Sequence, residues 1–504
     1  MHLTCTVVKV VMVVGMLMVM TPNSDALSGK TPPGPGLLGS FTQLKRVVSD
    51  FFRSRSAAEM ISEKEGGLYQ LNLGLSKICF INSRGFRDEA FLEKYHLFSD
   101  RGVESNKKQL PEELMQWRGT IRDNGAASDE ARAFVNSTLK ETSYLRTTVE
   151  TQIEEAIAFF DDELTGAIPS DLVVPKMIFR EHVLDVMTRI AFDTAGHRNT
   201  ISGQWQFQKF FEDVDALSNS VLFQPGFIST VLPNTKVDDY ETNLVGVAKY
   251  LKERAEEAIY TNRETSLVQR YSDFFLKRES SIAQPEDGWR LMYDFFTAGV
   301  NTVPEVITWD IYYLASDLDL QDKIRQEMKN FGTDVTYDDR TSLPRTMSFL
   351  TEVHRLRPVA TLGIPHAASA DGTIGGYAID KETLIIPNHW AMHNDPADWQ
   401  SDPQVFDATR FLKLNGNDLT FDSDKARIVT PFSVGPRSCP GQEIARRTIF
   451  LTIANLVQKY TVRFPEGPVV DVSNVKGSFT MYAPKFEVLL EPRSRPPPQR
   501  KINE

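Results

Sequence analysis

Cysteine is scarce in this chain of 504 residues, with three in all: Cys5, Cys79 and Cys439. No Cys-x-x-C pair and no cysteine–histidine cluster occurs, which excludes zinc ribbons and iron–sulfur clusters. Cys5 lies in the apolar N-terminal segment, so at most one disulfide is available to the body and a disulfide scaffold is excluded. Excess positive charge is also lacking. The formal net charge is −11, whereas neutralising a phosphate backbone demands a dominant basic surface, so nucleic acid is not an expected partner. There is no internal repeat and no low-complexity break in mid-chain. One large domain therefore competes with the roughly three that a soft prior of ~150 residues per domain suggests. A flavin or nicotinamide fingerprint is missing, so any electrons have to come from another protein.

Long apolar runs are few, and the one at the start is short. Val7 to Met20 is apolar except for Lys9 and Gly15. A membrane span needs about 20 such residues. The run suits the core of a signal peptide, with Ser24-Asp25-Ala26 as a small-residue cleavage site. Yet Thr31-Pro-Pro-Gly-Pro-Gly36 follows, a stiff connector that would hold a body at a set angle from an anchor. Both readings send the chain to the endoplasmic reticulum. In one it stays in the membrane with the body facing the cytosol; in the other it is cleaved, and luminal or secreted. Asn136-Ser-Thr is a glycosylation sequon that only the second topology would use. The expected division is an anchor or signal segment (1–28), a Pro/Gly hinge (29–40), a body (41–492) and a disordered tail (493–504) carrying Pro496-Pro-Pro498.

Within the body, Tyr69, Leu71, Leu73 and Leu75 alternate at period two, and Ile78-Cys-Phe-Ile81 follows a Gly-containing turn, which reads as a β-hairpin. From about Ser128 to Leu350 the periodicity is helical, with breaks at Gly196, Pro225-Gly226, Pro233 and Pro285. Leu291 to Leu318 is apolar on most faces and reads as one long buried helix. Short strands are expected at Gly376–Ile379 and Leu384–Ile386. A last helix is expected from about Gln442 to Tyr460, with Ile449, Ile453, Leu456, Val457 and Tyr460 in one stripe. The fold class is mainly α with a small β part.

Chemistry concentrates in Phe432-Ser-Val-Gly435-Pro-Arg437-Ser-Cys439-Pro-Gly441. This is a Gly-bearing loop that presents one thiol just before a helix starts, and Pro440 sits where a first helical position tolerates proline. The positive end of the helix dipole favours thiolate over thiol. Gly435 and Gly441 let backbone approach a flat cofactor closely. Arg437 offers a rigid fork of donors for a carboxylate. A lone cysteine is most often a buried structural thiol. The pattern shifts that balance, because five fixed residues in ten positions arise by chance in such a chain about once in 10,000 or less.

This decamer resembles the haem-binding loop of the cytochrome P-450 family, Phe-x-x-Gly-x-Arg-x-Cys-x-Gly, at every fixed position. Further stretches resemble the family in the expected order. Glu352-Val-His-Arg355 looks like its Glu-x-x-Arg motif. Asp402-Pro-Gln-Val-Phe406-Asp-Ala-Thr-Arg410-Phe411 looks like the segment whose arginine completes a triad with that pair. Ala298-Gly299-Val300-Asn301-Thr302 resembles the oxygen-binding segment, and Pro32–Pro35 the hinge. Gly363-Ile-Pro-His366 and His393-Asn-Asp-Pro396 resemble the animal microsomal type. The resemblance implies one large haem-enclosing domain, haem b with Cys439 as the iron's axial ligand, and Phe432, Gly435, Arg437, Gly441 and His366 around the cofactor. Glu352, Arg355 and Arg410 would support the loop, and Thr302 would assist oxygen activation beside Ala298, Gly299 and Asn301. Gly299 would leave room for a ligand. Pro304 lacks an N–H and frees the carbonyl of Val300.

Three departures stand out. The position before the threonine is often acidic in the family and here is Asn301, an amide that orients water but carries no proton. The family's Trp-x-x-x-Arg has no clean match: Trp117 is followed by Arg118 and Arg122, which leaves Trp117 and Arg122 as weak propionate candidates. Asp380 and Glu382 replace the usual Pro and Gly of a turn. By resemblance the co-substrates are O2 and NADPH, with NADPH–cytochrome P-450 reductase as electron donor, cytochrome b5 as a second one, and a lipophilic substrate. Lys425, Arg427, Arg446 and Arg447 could dock the reductase by charge complementarity, or simply form a solvated helix face. Phe207, Phe210, Phe211, Phe223 and Phe227 fall where the family builds substrate-access helices. Two alternatives to a monooxygenase are a haem-thiolate isomerase or dehydratase acting on a peroxide, and a haem-binding protein without turnover.

Overall fold

The computed structural model describes residues 30–34, 36, 39–40, 67–72, 77–101, 120–121, 124–166, 172–194, 237–278, 282–331, 335–467, 469–472, 475 and 480–493. The expected hairpin is present: β1 (Leu68–Asn72) pairs antiparallel with β2 (Lys77–Ile81). Four helices position the site: α1 (Ala126–Thr138), α2 (Pro175–Phe192), α3 (Gly288–Ser316) and α4 (Pro344–Leu356). Two short strands, β3 (His366–Ala367) and β4 (Leu384–Pro387), complete a sheet of order β1-β2-β4-β3, and β2 and β4 run parallel. The last helix, α5, runs Gln442–Lys459. Small hairpins lie at Gly372–Ile379, at Leu412–Phe421 and between Tyr460–Arg463 and Leu489–Pro492.

The core follows from α3, which is apolar on nearly every face and is buried along most of its length. Phe296, Val300, Ile307, Trp309 and Ile311 sit in one apolar cluster with Met187 and Phe192 of α2 and with the α5 stripe Ile449, Ile453, Leu456 and Val457. Removing each such side chain from water contributes about 1.5–3 kcal/mol. Pro304 is accommodated inside α3 without ending it. At Gly299 an added Cβ would lie 2.6 Å from Met187 Cε of α2, so the flexible end of that side chain would have to move.

Lys30 to Gly34 is docked on the sheet. The Pro33 carbonyl accepts from the Gln70 N–H at 2.9 Å, and the Lys30 carbonyl from that of Ala378 at 2.9 Å. A Cβ on Gly34 would stand 1.9 Å from the Gln70 carbonyl, so only glycine fits. Glu382 takes the left-handed conformation, with φ +67, that a glycine would adopt without strain. At the other end Arg493 bonds to the Tyr460 carbonyl and pairs with Asp322, so it belongs to the body. Among the described residues no helix is long and apolar enough to cross a membrane. Val7–Met20, the helical breaks at Gly196, Pro225-Gly226 and Pro233, the phenylalanines of 207–227 and the tail 494–504 lie outside the described residues.

Candidate functional site

Cys439 sits two residues before Gly441, the N-cap of α5. Its N–H donates to the Phe432 carbonyl at 2.8 Å, and the Ser438 N–H to that of Gly435 at 3.0 Å, which close the loop on itself. Gly435 is left-handed, with φ +78, and a Cβ there would meet the Phe91 carbonyl at 2.1 Å. It is therefore a backbone-to-backbone contact. Gly441 differs: a Cβ there would meet nothing within 4 Å. Burial raises the thiol's pKa, and the Gly441 N–H, Arg132 and Arg446 only partly oppose it. A bound metal ion would deprotonate the sulfur outright.

Behind the loop lies the expected triad, fully formed. Arg355 donates Nε to Glu352 Oε2 at 2.7 Å and Nη2 to Oε1 at 2.8 Å, while Arg410 Nε reaches Oε1 at 3.1 Å. The remaining donors are taken by carbonyls: Arg355 by Pro403 at 2.6 Å, Arg410 by Val405 at 2.9 Å. Arg355 also bonds to the His393 carbonyl at 3.2 Å, and His393 Nε2 accepts from the Thr430 N–H at 2.9 Å. His393, which sequence reasoning did not single out as a site residue, is thus the link from the triad to the cysteine loop. Phe432 lies between the His354 ring and the Arg446 guanidinium.

On the other side of the loop three guanidiniums gather. Arg437 donates Nε to the Ser99 carbonyl at 3.1 Å and Nη2 to Asn124 Oδ1 at 2.9 Å. Arg101 bonds to the Ile364 and Pro365 carbonyls at 3.0 and 2.9 Å. Arg132, on α1, bonds to the carbonyls of Pro436 and Ser438. Burial, then the neighbouring guanidiniums, pull Arg101 down to about 9 and Arg132 to about 10. His366 stacks on Phe91 at 4.1 Å and donates Nδ1–H to the Phe98 carbonyl at 3.1 Å. Burial, Arg101 and Arg437 hold its pKa well below the usual value, so it is neutral. Close by, the Ser99 hydroxyl is buried without a hydrogen-bond partner among the described residues. Arg101, Arg132, Asn124 and Ser99 were not found from sequence, because no fixed spacing links them. Ser128 and Arg132 do stand four apart on α1, and the Ser128 hydroxyl lies 3.4 Å from Arg437 Nη1. The spacing of Trp-x-x-x-Arg thus falls here on Ser128 and Arg132; Trp117 and Arg122 lie outside the described residues.

The central helix offers one open stripe. In the otherwise buried stretch of α3, Ala298 and Thr302 are exposed, and Phe295 and Gly299 are half-buried. Residues at i, i+3, i+4 and i+7 share a helix face. Thr302 donates its hydroxyl to the Ala298 carbonyl at 2.9 Å, the ordinary back-bond of a helical threonine. Asn301 is buried beside this stripe, its side-chain oxygen without a partner among the described residues. Of the basic residues near the loop, Arg446 and Arg427 are exposed, with Arg427 near Asp424, and Lys425 is half-buried. Arg447 is not available to a partner: it is buried, pairs with Glu150 at 3.0 Å and Glu443 at 2.7 Å, and lies over the Tyr337 ring. Asn136 of the sequon is exposed on the last turn of α1.

This donor set fits a planar dicarboxylate cofactor with a thiol-ligated metal. The buried Arg101 and Arg132, the half-buried Arg437 and the Ser99 hydroxyl, which has no partner among the described residues, stand beside the cysteine loop. Comparison with known proteins agrees. A family model described as Cytochrome P450 matches residues 32–490. The chain is similar to human Cytochrome P450 2J2, with 27% identity over 86% of each chain. It is similar to chicken (Gallus gallus) Cytochrome P450 2H1, with 24% identity over 95% of this chain and 97% of the other. It is also similar to the guinea-pig (Cavia porcellus) steroid 17-alpha-hydroxylase/17,20 lyase, with 36% identity over 38% of each chain.

Proposed function

Because the chain belongs to the cytochrome P450 family, of the animal microsomal type, we propose that it is a monooxygenase that inserts one oxygen atom of O2 into a lipophilic small molecule. Its family makes it a haem oxidoreductase with a mainly α, single-domain fold. The finer reading rests above all on one observation: Cys439 is held in a closed loop between the buried Glu352–Arg355–Arg410 triad and the cluster of Arg101, Arg132 and Arg437. Haem b, bound with Cys439 as axial ligand, would supply an iron whose thiolate pushes electron density toward O–O cleavage. Arg101, Arg437 and the Ser99 hydroxyl would hold the propionates, with His366 beside them and Phe432 against the loop. Glu352, Arg355 and Arg410 keep the loop closed through His393 and Thr430.

The stripe Phe295, Ala298, Gly299 and Thr302 presents one hydroxyl among apolar groups, which supports a lipophilic substrate. A steroid or fatty-acid-like molecule is the expected class, in keeping with the steroid hydroxylase among the relatives. Thr302 is the residue expected to hand protons toward the reaction; its hydroxyl has to leave the Ala298 carbonyl to do so. Asn301 orients it or a water but cannot itself transfer a proton. Electrons would come from NADPH through cytochrome P-450 reductase, with cytochrome b5 as a second donor. Arg427 and Arg446 are the exposed cations beside the loop. The body would face the cytosol from the endoplasmic reticulum membrane, held by residues 1–28 and the segment 29–40, with 41–492 as the haem domain.

Turnover of a panel of steroids and fatty acids, with NADPH and reductase or with an organic hydroperoxide alone, tests this. Product only with NADPH and reductase, reduced at least tenfold in Thr302→Ala, is the expected result. Equal rates with hydroperoxide alone and no effect of Thr302→Ala would establish the isomerase or dehydratase reading instead.

A further inference from the structure

Arg132 reaches two parts of the molecule at once. Its Nε donates to the Pro436 carbonyl at 3.1 Å and its Nη2 to the Ser438 carbonyl at 2.7 Å, on the residue preceding Cys439. Its Nη1 donates to the Thr120 carbonyl at 2.7 Å. Thr120 then donates its own N–H at 2.7 Å and its hydroxyl at 3.0 Å to Asp294 Oδ2 on α3. All three side chains are buried. Asp294 stands one turn before Ala298, on the helix that carries the open stripe. The carboxylates near Arg132 are those of Asp294 and of Asp129, one turn back on α1.

We propose that Asp294, acting through Thr120, and Arg132 form a brace that sets how strongly the Cys439 sulfur donates electrons. This rests on the haem-thiolate reading above. Both are positioning residues, since neither touches the reacting atoms. A guanidinium bonded to the peptide carbonyls beside the sulfur draws negative charge toward itself and weakens the thiolate's push. The Asp294 carboxylate anchors that guanidinium and tempers its field. In a water-poor interior the two opposite charges act on the sulfur with opposite sign and little screening. A substrate that moves α3 at Ala298 would then be felt at the sulfur through a path that does not cross the cofactor.

Reductive titration of the haem-loaded full chain tests the brace in wild type, Asp294→Asn, Arg132→Gln and Arg132→Lys, with haem content and the carbon monoxide spectrum recorded alongside. Asparagine keeps an oxygen for Thr120, so its effect is one of charge. The expected result is that Asp294→Asn raises the midpoint potential and Arg132→Gln lowers it. Each should shift the ferric–ferrous equilibrium by roughly three- to tenfold, with Arg132→Lys nearest to wild type. A merely structural brace moves both charge-removing variants the same way, or changes only haem content. That result, or unchanged potentials, overturns the proposal while leaving the haem-thiolate reading intact. If Arg132→Gln does not load haem, an unchanged or lowered potential in Asp294→Asn is by itself enough to overturn it. A wild type without the red-shifted carbon monoxide band overturns the reading and the brace together.

Discussion

Two arginine-rich clusters flank the cysteine loop, and all but the half-buried Arg437 of their arginines are buried. In one, Glu352 binds Arg355 and Arg410, and Glu352 and Arg355 have no exposed surface at all. In the other, Arg101, Arg132 and Arg437 crowd together with a neutral His366, and burial and neighbouring guanidiniums depress Arg101 and Arg132. The first has its anion built in at its centre. The second gives its N–H groups to carbonyls, Asn124 and Ser128, and the carboxylates of Asp294 and Asp129 act on its Arg132. The arginines are therefore arranged in two ways: a closed triad around one carboxylate acts as a fastener, and a cluster bonded mainly to carbonyls is the proposed receptor for an anionic ligand.

The sharpest way to break this comparison is to remove the fastener's anion. Glu352→Gln leaves two buried guanidiniums without their charge partner, and a loss of about 3–5 kcal/mol is expected. Urea denaturation should show it with or without haem. The receptor should respond the other way. Arg101→Met relieves cation crowding, so the haem-free chain should unfold no more easily than wild type, while haem affinity drops about ten- to a hundredfold with the loss of a charge-assisted bond of ~1.5–3 kcal/mol. Haem transfer to an acceptor globin measures that. If Arg101→Met destabilised the haem-free chain as much as Glu352→Gln, the distinction would collapse.

Acid sharpens the contrast further. His182, His354 and His389 are each pushed down to about 4 by burial, and His366 and His393 lie well below their usual value. A lowered folded-state pKa favours the neutral ring. The stability it contributes is full above the unfolded value of ~6.5 and is lost as pH falls toward the folded value, by up to about 1.4 kcal/mol per pH unit for each ring. Thermal midpoints should therefore drop between pH 6.5 and 5. Haem should flatten that slope, because an anion beside Arg101 and Arg437 offsets their repulsion of a protonated His366. The haem effect on slope should vanish in His366→Asn and persist in His393→Asn.

The smallest expected effect belongs to a buried charge site with neither arrangement. Asp310 is wholly buried, both its oxygens lack hydrogen-bond partners among the described residues, and burial holds its pKa well above the carboxylate range. The raised pKa means that its neutral form's stability is full below ~3.9 and is lost as pH rises toward the folded value. Asp310→Leu should therefore stabilise the chain by about 1 kcal/mol at pH 7 and by less at pH 4, as read from chemical denaturation.

The two clusters also differ in how far sequence reveals them. The fastener is local in pattern: Glu352 and Arg355 share a helix turn, and Arg410 falls in a recognisable segment, so all three were legible. So were the cysteine loop, the long helix α3, the β1–β2 hairpin and the α5 stripe, each written in short-range periodicity or spacing. The receptor was only half legible. Arg437 and His366 came with their motifs, whereas Arg101, Ser99, Asn124 and Arg132 converge from three segments that only the tertiary fold brings together. Arg447 reads as surface from its neighbours yet is internal, because Glu150, remote in sequence, supplies its partner.

The measurement that goes to the centre of this account is the carbon monoxide spectrum of the dithionite-reduced protein, for wild type and Cys439→Ser. A red-shifted Soret band in the wild type that is lost in the variant is the predicted result. A haem spectrum without that shift in the wild type would mean that Cys439 is not the axial ligand, and would contradict the proposed chemistry.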